Sequence, residues 1–151
     1  MAAIDVDYTV TGSGPAIFFA HGIGGRRSGW DDIIAFLEDD FTCIRYDQRG
    51  HGESPVPPVP YSLDELVEDL EALRAKLGIE KAHVVGHSLG GMIAPAYART
   101  HPDRVLTLGL LSTAAGRTHE DAAKVKGVIT AMEEKGIPNI LDTLVDRWFT
   151  D

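Results

Sequence analysis

Ala82-His83-Val84-Val85-Gly86-His87-Ser88-Leu89-Gly90-Gly91 is the stretch on which the reading of this chain turns. Ala82 to Val85 is apolar, partly β-branched and too short for a helix, which predicts a buried strand. Gly86-His87-Ser88-Leu89-Gly90 then matches G-x-S-x-G. Beyond Gly91, the residues Met92, Ile93, Ala96 and Tyr97 recur at spacings of three and four, the period of a helix. So abrupt a turn from strand to helix forces its middle residue into strained backbone, and only glycine fits two positions to either side. Ser88 Oγ is thereby lifted clear of the chain, beside the first N–H groups of a helix, where developing negative charge is stabilised. A serine that merely caps the helix is the plainer alternative; the flanking strand and helix favour a nucleophile.

The chain has 151 residues, the size of one ordinary domain. Apolar residues make up 44% and charged residues 25%, which predicts a globular and not a disordered protein. A net charge of −9 leaves no basic face to neutralise phosphates and argues against nucleic acid as a partner. The single cysteine, Cys43, lies in the apolar run Phe41–Tyr46 and reads as core filling in a reducing compartment. No apolar run approaches the ~20 residues of a membrane span, and the N-terminus lacks the charged-then-apolar form of a signal peptide. The expectation is a cytoplasmic chain with no membrane partner.

Ile4 to Val10 alternates weakly and predicts an edge strand, followed by a turn at Thr11–Pro15. Ala16–Ala20 (AIFFA) predicts a strand buried on both faces, and it runs into the glycine-rich loop His21-Gly22-Ile23-Gly24-Gly25. A helix is expected from about Ser28, with Trp30, Ile33, Ile34 and Leu37 on its apolar face. Phe41–Tyr46 predicts the next strand, before a polar loop from Asp47 to Ser54 and a proline-rich passage to Pro60. Ser62 and Glu65 form a capping-box pattern, and Leu63, Leu66, Val67, Leu70, Leu73 and Leu77 line one helical face until Gly78. After the elbow and its helix, Val105–Leu111 predicts another buried strand. Beyond Thr113 come two helical patterns, about Glu120–Lys135 and Asn139–Phe149, split by Gly136-Ile137-Pro138. Strands alternating with helices at this spacing predict an α/β fold, a mostly parallel sheet with helices on both faces.

Four passages in order resemble the α/β-hydrolase superfamily: His21-Gly22 after a strand, Asp47-Gln48-Arg49-Gly50-His51-Gly52-Glu53-Ser54 after the next, Gly86–Gly91 at the elbow, and the helical excursion after Leu111. Ile44–Gly52, Ser112–Ala115 and Arg147–Thr150 are similar to the esterase and lactonase branch, 3-oxoadipate enol-lactonases in particular. The resemblance implies an N-terminal part of a hydrolase core at 1–113 and part of a helical cap at 114–151. It also implies that Ser88 is the nucleophile, that the backbone N–H groups of Ile23 and Leu89 form the oxyanion hole, and that His21 braces its loop. Arg26 or Arg27 is a candidate for a substrate carboxylate, and Trp148 with Phe149 for the pocket wall. No cofactor is implied. No metal-ligand spacing occurs, and Gly22-Ile23-Gly24-Gly25 lacks the lysine and spacing of a phosphate loop.

A nucleophilic serine needs a base and an orienting carboxylate, which in this superfamily follow it in the order acid, then histidine. Neither is visible. His101 lies about 13 residues along the elbow helix, some 20 Å from Ser88 at helical rise. His119 lies in the excursion, His87 must point away from the sharp turn, and His51 and His83 suit structural roles in loop and strand. The strand end at Leu111 offers Ser112-Thr113 and no carboxylate. The family pattern adds two strand–helix units after the cap, each of ~30 residues, which carry the missing pair; without them Val105–Leu111 would end as a long apolar edge strand. Two readings follow. One is a serine hydrolase of small carboxylic esters or lactones whose acid and histidine lie in a C-terminal remainder, a second chain or a further segment. The other is a non-catalytic fragment that serves as a binding or assembly module.

Overall fold

The computed structural model describes residues 2–58, 60–114, 116 and 118–148. Among them β1 (Tyr8–Thr11), β2 (Ala16–Ala20), β3 (Thr42–Tyr46), β4 (Ala82–His87) and β5 (Val105–Leu111) form one sheet in the order β1-β3-β2-β4-β5. β1 pairs antiparallel with β3, as suits a short alternating edge strand, and every other pairing is parallel. The run AIFFA explains why β2 is central. Phe18 turns to one face and Phe19 to the other, so both faces must be covered.

Helices cover both faces. On one side α2 (Leu63–Lys76) and α3 (Gly90–Thr100) enclose Phe18, Ala20, Ile44, Tyr46, Ala82 and Val84. The capping box of Ser62 and Glu65 starts α2, and its buried stripe of Leu66, Val67, Leu70 and Leu73 contributes about 1.5–3 kcal/mol per side chain. On the other side Phe19 meets Trp30 with ring centroids 5.3 Å apart, and Ile17, Ile34 and Cys43 complete a smaller core. Cys43 is a free, buried thiol there, as its sequence context predicts.

Three expectations are corrected. The edge strand expected over Ile4–Val10 begins only at Tyr8; residues 4–7 are irregular chain, with Val6 buried in the core. The helix after the glycine-rich loop is a 3₁₀ turn at Arg27–Trp30 and one α turn, α1 (Asp31–Ile34); Trp30 and Ile34 are buried, but Ile33 faces solvent. β5 is not buried on both faces. It forms the sheet edge among the described residues, the long apolar edge expected of this strand without a further unit beside it, with Leu106, Leu108, Leu110 and Leu111 each more than a third exposed.

Residues 1–114 and 115–151 form two compact units. In the second, α4 (His119–Lys135) starts at Thr118, whose hydroxyl accepts the Asp121 N–H at 3.1 Å, and ends at Gly136 with φ +76°. A 3₁₀ turn at Ile137–Ile140 leads into α5 (Leu141–Trp148), where Leu144 is buried. No helix among the described residues is long and apolar enough to cross a membrane.

Candidate active site

β4 ends at His87, the chain turns through Ser88 and Leu89, and α3 begins at Gly90. Ser88 has φ +51°, a left-handed conformation that costs a non-glycine residue about 1–3 kcal/mol. The glycines two positions away are there for space. A Cβ on Gly86 would overlap the Gly90 carbonyl, and one on Gly90 would overlap the Ala20 carbonyl. The Ser88 N–H donates to Leu111 O at 3.0 Å and the Gly90 N–H to His21 O at 3.1 Å, which ties the elbow to β5 and to the loop after β2.

That loop closes on the serine because Gly22 has no side chain: a Cβ there would stand 3.2 Å from Ser88 Cβ and 3.0 Å from His87 Nδ1. The four-residue turn Gly22–Gly25 is held by the Gly25 N–H on Gly22 O at 3.0 Å, with Gly24 at φ +73° in its third position. Most N–H groups around Ser88 are engaged: Ser88, Gly90 and Gly25 by carbonyls, and Gly24 by His51 Nε2 at 3.1 Å. Those of Ile23 and Leu89 have no acceptor among the described residues. Nor does the Ser88 hydroxyl have a hydrogen-bond partner among them. A serine oxygen held clear of the chain beside two unengaged donors can attack a carbonyl and stabilise the charge that forms.

Two histidines hold this loop to the one after β3. His21 Nε2 accepts the Gln48 N–H at 3.1 Å, so its proton sits on Nδ1 and is donated to Gly22 O at 2.7 Å. His51 Nε2 accepts the Gly24 N–H, so its Nδ1–H faces Arg49 O at 3.1 Å. Burial lowers the His21 pKa below its ordinary 6.5 and, with it, favours the neutral ring, although the bond to Gly22 acts in the opposite sense. His21 therefore braces the loop. Asp47 accepts the backbone N–H groups of Arg27 at 2.6 Å and Glu53 at 3.1 Å. Its burial works to raise the carboxyl pKa, but those bonds and the Arg27 guanidinium outweigh it, and the net shift is downward.

Arg27 is consumed by Asp47 and by Asp7 at 2.8 Å, which removes it as a free receptor for a substrate. Arg26 is exposed and makes no ion pair among the described residues. Phe149 and the Trp148 side chain lie outside the described residues. No histidine among the described residues bonds Ser88 or a carboxylate: His83 Nδ1 meets Thr107 Oγ1 at 2.7 Å, and His101 stacks on Tyr97 at 4.9 Å. Nor do the described residues contain a cluster that could hold a metal ion.

Sequence reasoning missed several supports of this site. Thr113 Oγ1 donates to Ser88 O at 3.1 Å. Arg49 and Asp69, both essentially inaccessible, pair bidentately at 2.6 and 2.7 Å and anchor the second loop to α2. A charged residue on the apolar stripe of α2 was the available signal for Asp69; for Thr113 there was none.

The profile of the alpha/beta hydrolase fold matches residues 15–127. The chain belongs to the α/β hydrolase fold family. It is 35% identical over 136 residues to 3-oxoadipate enol-lactonase 2 of Acinetobacter baylyi, covering 90% of this chain and 50% of that one. The enol-lactonase from Burkholderia xenovorans superposes with a TM-score of 0.86 at 31% identity, over 99% of this chain and 59% of that one. A thermophilic esterase from Thermogutta terrifontis gives 0.85 at 31% identity, over 95% and 54%. The chain thus spans about half the length of these relatives.

Proposed function

We propose that this chain carries the nucleophile half of a serine hydrolase acting on small carboxylic esters or lactones. Ser88 Oγ attacks the carbonyl carbon, and the oxygen takes up the negative charge against the N–H groups of Ile23 and Leu89, each worth a few kcal/mol of barrier lowering. The intermediate collapses to an acyl-enzyme as the alkoxide leaves and is protonated, and water then attacks the acyl carbon to free the acid. The base and its orienting carboxylate come from residues beyond these 151, in a longer polypeptide or a second chain. Arg26 is the candidate receptor for a substrate carboxylate and Trp148 for the wall of the pocket, with 114–151 acting as part of a cap. The free, buried Cys43 fits a reducing cytoplasm.

The observation that carries this reading is the pair of unengaged N–H groups beside a serine held at φ +51°. A fluorophosphonate probe and p-nitrophenyl acetate turnover test it, with intact mass to find the adduct and any companion polypeptide. Label and turnover are expected in the wild type and neither in Ser88→Ala. A folded wild type that stays unlabelled and inert with every polypeptide it purifies with would sink the reading. The rival, a binding or assembly module, is favoured by one observation: no histidine among the described residues makes a hydrogen bond to Ser88.

A further inference from the structure

We infer that Thr113 and His21 are positioning residues that aim the two donors of the oxyanion hole by holding the opposite ends of their peptide groups. This rests on the reading of Ile23 and Leu89 as those donors. An amide is a rigid plane, so its N–H direction is set by whatever holds its carbonyl. The Leu89 N–H shares a peptide with Ser88 C=O, and the Thr113 hydroxyl donates to that oxygen at 3.1 Å. The Ile23 N–H shares a peptide with Gly22 C=O, which accepts the His21 Nδ1–H at 2.7 Å and the Gly25 N–H at 3.0 Å. Each donor is thus free at its nitrogen and held at its oxygen by a side chain. A hydrogen bond at the oxygen also polarises the amide and strengthens its N–H as a donor.

The glycine just beyond the G-x-S-x-G motif acquires a reason. A Cβ on Gly91 would stand 2.5 Å from Thr113 Cβ and 2.7 Å from Thr113 Oγ1, so the bare backbone admits Thr113 to the elbow. Thr113 itself follows Ser112, whose φ of +46° bends the chain at the end of β5. The second strained serine is what brings the hydroxyl round to the first.

Two readouts test this, both on the protein together with every polypeptide it purifies with. The first is the ¹⁵N–¹H amide resonance of Leu89, whose nitrogen senses hydrogen bonding at the carbonyl of its own peptide. Thr113→Val keeps the side-chain shape and loses the hydroxyl, so it should shift the Leu89 resonance and leave that of Ile23; Gly91→Ala should do the same; Thr113→Ser should restore the wild-type position. The second is phosphonylation of Ser88, where Thr113→Val should lower the maximal rate about tenfold without weakening the initial association, and Thr113→Ser should recover it, since a misaimed donor costs less than a deleted one. A Leu89 resonance unmoved in Thr113→Val, or moved equally in Thr113→Ser, overturns the inference. A wild type that is never phosphonylated counts against the serine hydrolase reading, and the aiming role then stands or falls on the Leu89 resonance alone.

Discussion

His21 and His51 stand edge to face with ring centroids 5.1 Å apart, and each accepts a backbone N–H from the loop that carries the other. The exchange works only with neutral rings, because a protonated imidazole has no lone pair to offer. The folded state therefore resists protonating His21, whose pKa burial holds below 6.5. The unfolded chain takes up a proton first as the pH falls, so this contribution to stability is complete above about 6.5 and is lost on descent to the depressed folded value. Urea titrations at stepped pH should show a falling midpoint in that window, with a shallower fall in His21→Asn. Equal slopes in the two would remove His21 as the cause.

Relieving the elbow should stabilise the protein while destroying its chemistry. Ser88→Gly recovers about 1–2 kcal/mol of left-handed strain and forfeits about 0.5–1 kcal/mol to the more flexible unfolded chain. A net gain of about 0.5–1 kcal/mol is expected in denaturant titration, together with loss of phosphonate labelling.

Adding a methyl group to a glycine should have opposite signs at two sites. Gly90→Ala drives a Cβ into the Ala20 carbonyl, and a destabilisation of about 3 kcal/mol or more is expected. Gly127 lies within α4, where an added Cβ would meet nothing within 4 Å, so Gly127→Ala should stabilise by about 0.5–1 kcal/mol. Thermal melts of both variants decide the pair.

Tyr97 joins α3 to α2 by donating its hydroxyl to Glu71 at 2.6 Å. Hydrogen bonds from Arg74, and next from Tyr97, outweigh burial and bring the Glu71 pKa down to about 2. Glu71 thus contributes stability that is present above its ordinary 4.5 and is lost as the pH falls toward about 2. Tyr97→Phe should cost about 1.5–3 kcal/mol near neutral pH, because the bond is charge-assisted, and should raise the Glu71 pKa as followed by ¹³C carboxyl titration.

Asp69 has 1% exposure opposite an Arg49 with none. Asp69→Ala leaves that guanidinium buried without its main counter-charge, and about 3–5 kcal/mol should be lost. A cost below 1 kcal/mol would show that the second loop is anchored by something other than this pair.

Local pattern made much of the fold legible. The double-sided run AIFFA, the leucine stripe of α2 and the capping box of Ser62 each report one short-range preference, and each element formed accordingly, whereas the weak alternation from Ile4 to Val10 overstates β1, which starts only at Tyr8 where β3 lies beside it to pair. Periodicity overstates the helix at Ile33 because Ile33 and Phe36 fit the helical period yet face solvent, where no packing rewards more turns. It overstates the burial of β5 because apolar content cannot reveal whether another strand lies beside it. What the sequence determined by itself was the elbow as a motif, since Gly86 answers a steric demand set four residues on by the Gly90 carbonyl; the space that Gly90 leaves is taken by the Ala20 carbonyl, a neighbour only the folded sheet supplies. Only the tertiary structure decided the company Ser88 keeps: the Gly22 loop against its Cβ, Thr113 on its carbonyl, and His21 and His51 clasping loops 27 residues apart. The first is a close approach that only a bare glycine permits and the others are hydrogen bonds of single donors to single acceptors, all across long separations, and no periodicity in a chain encodes which partners will meet.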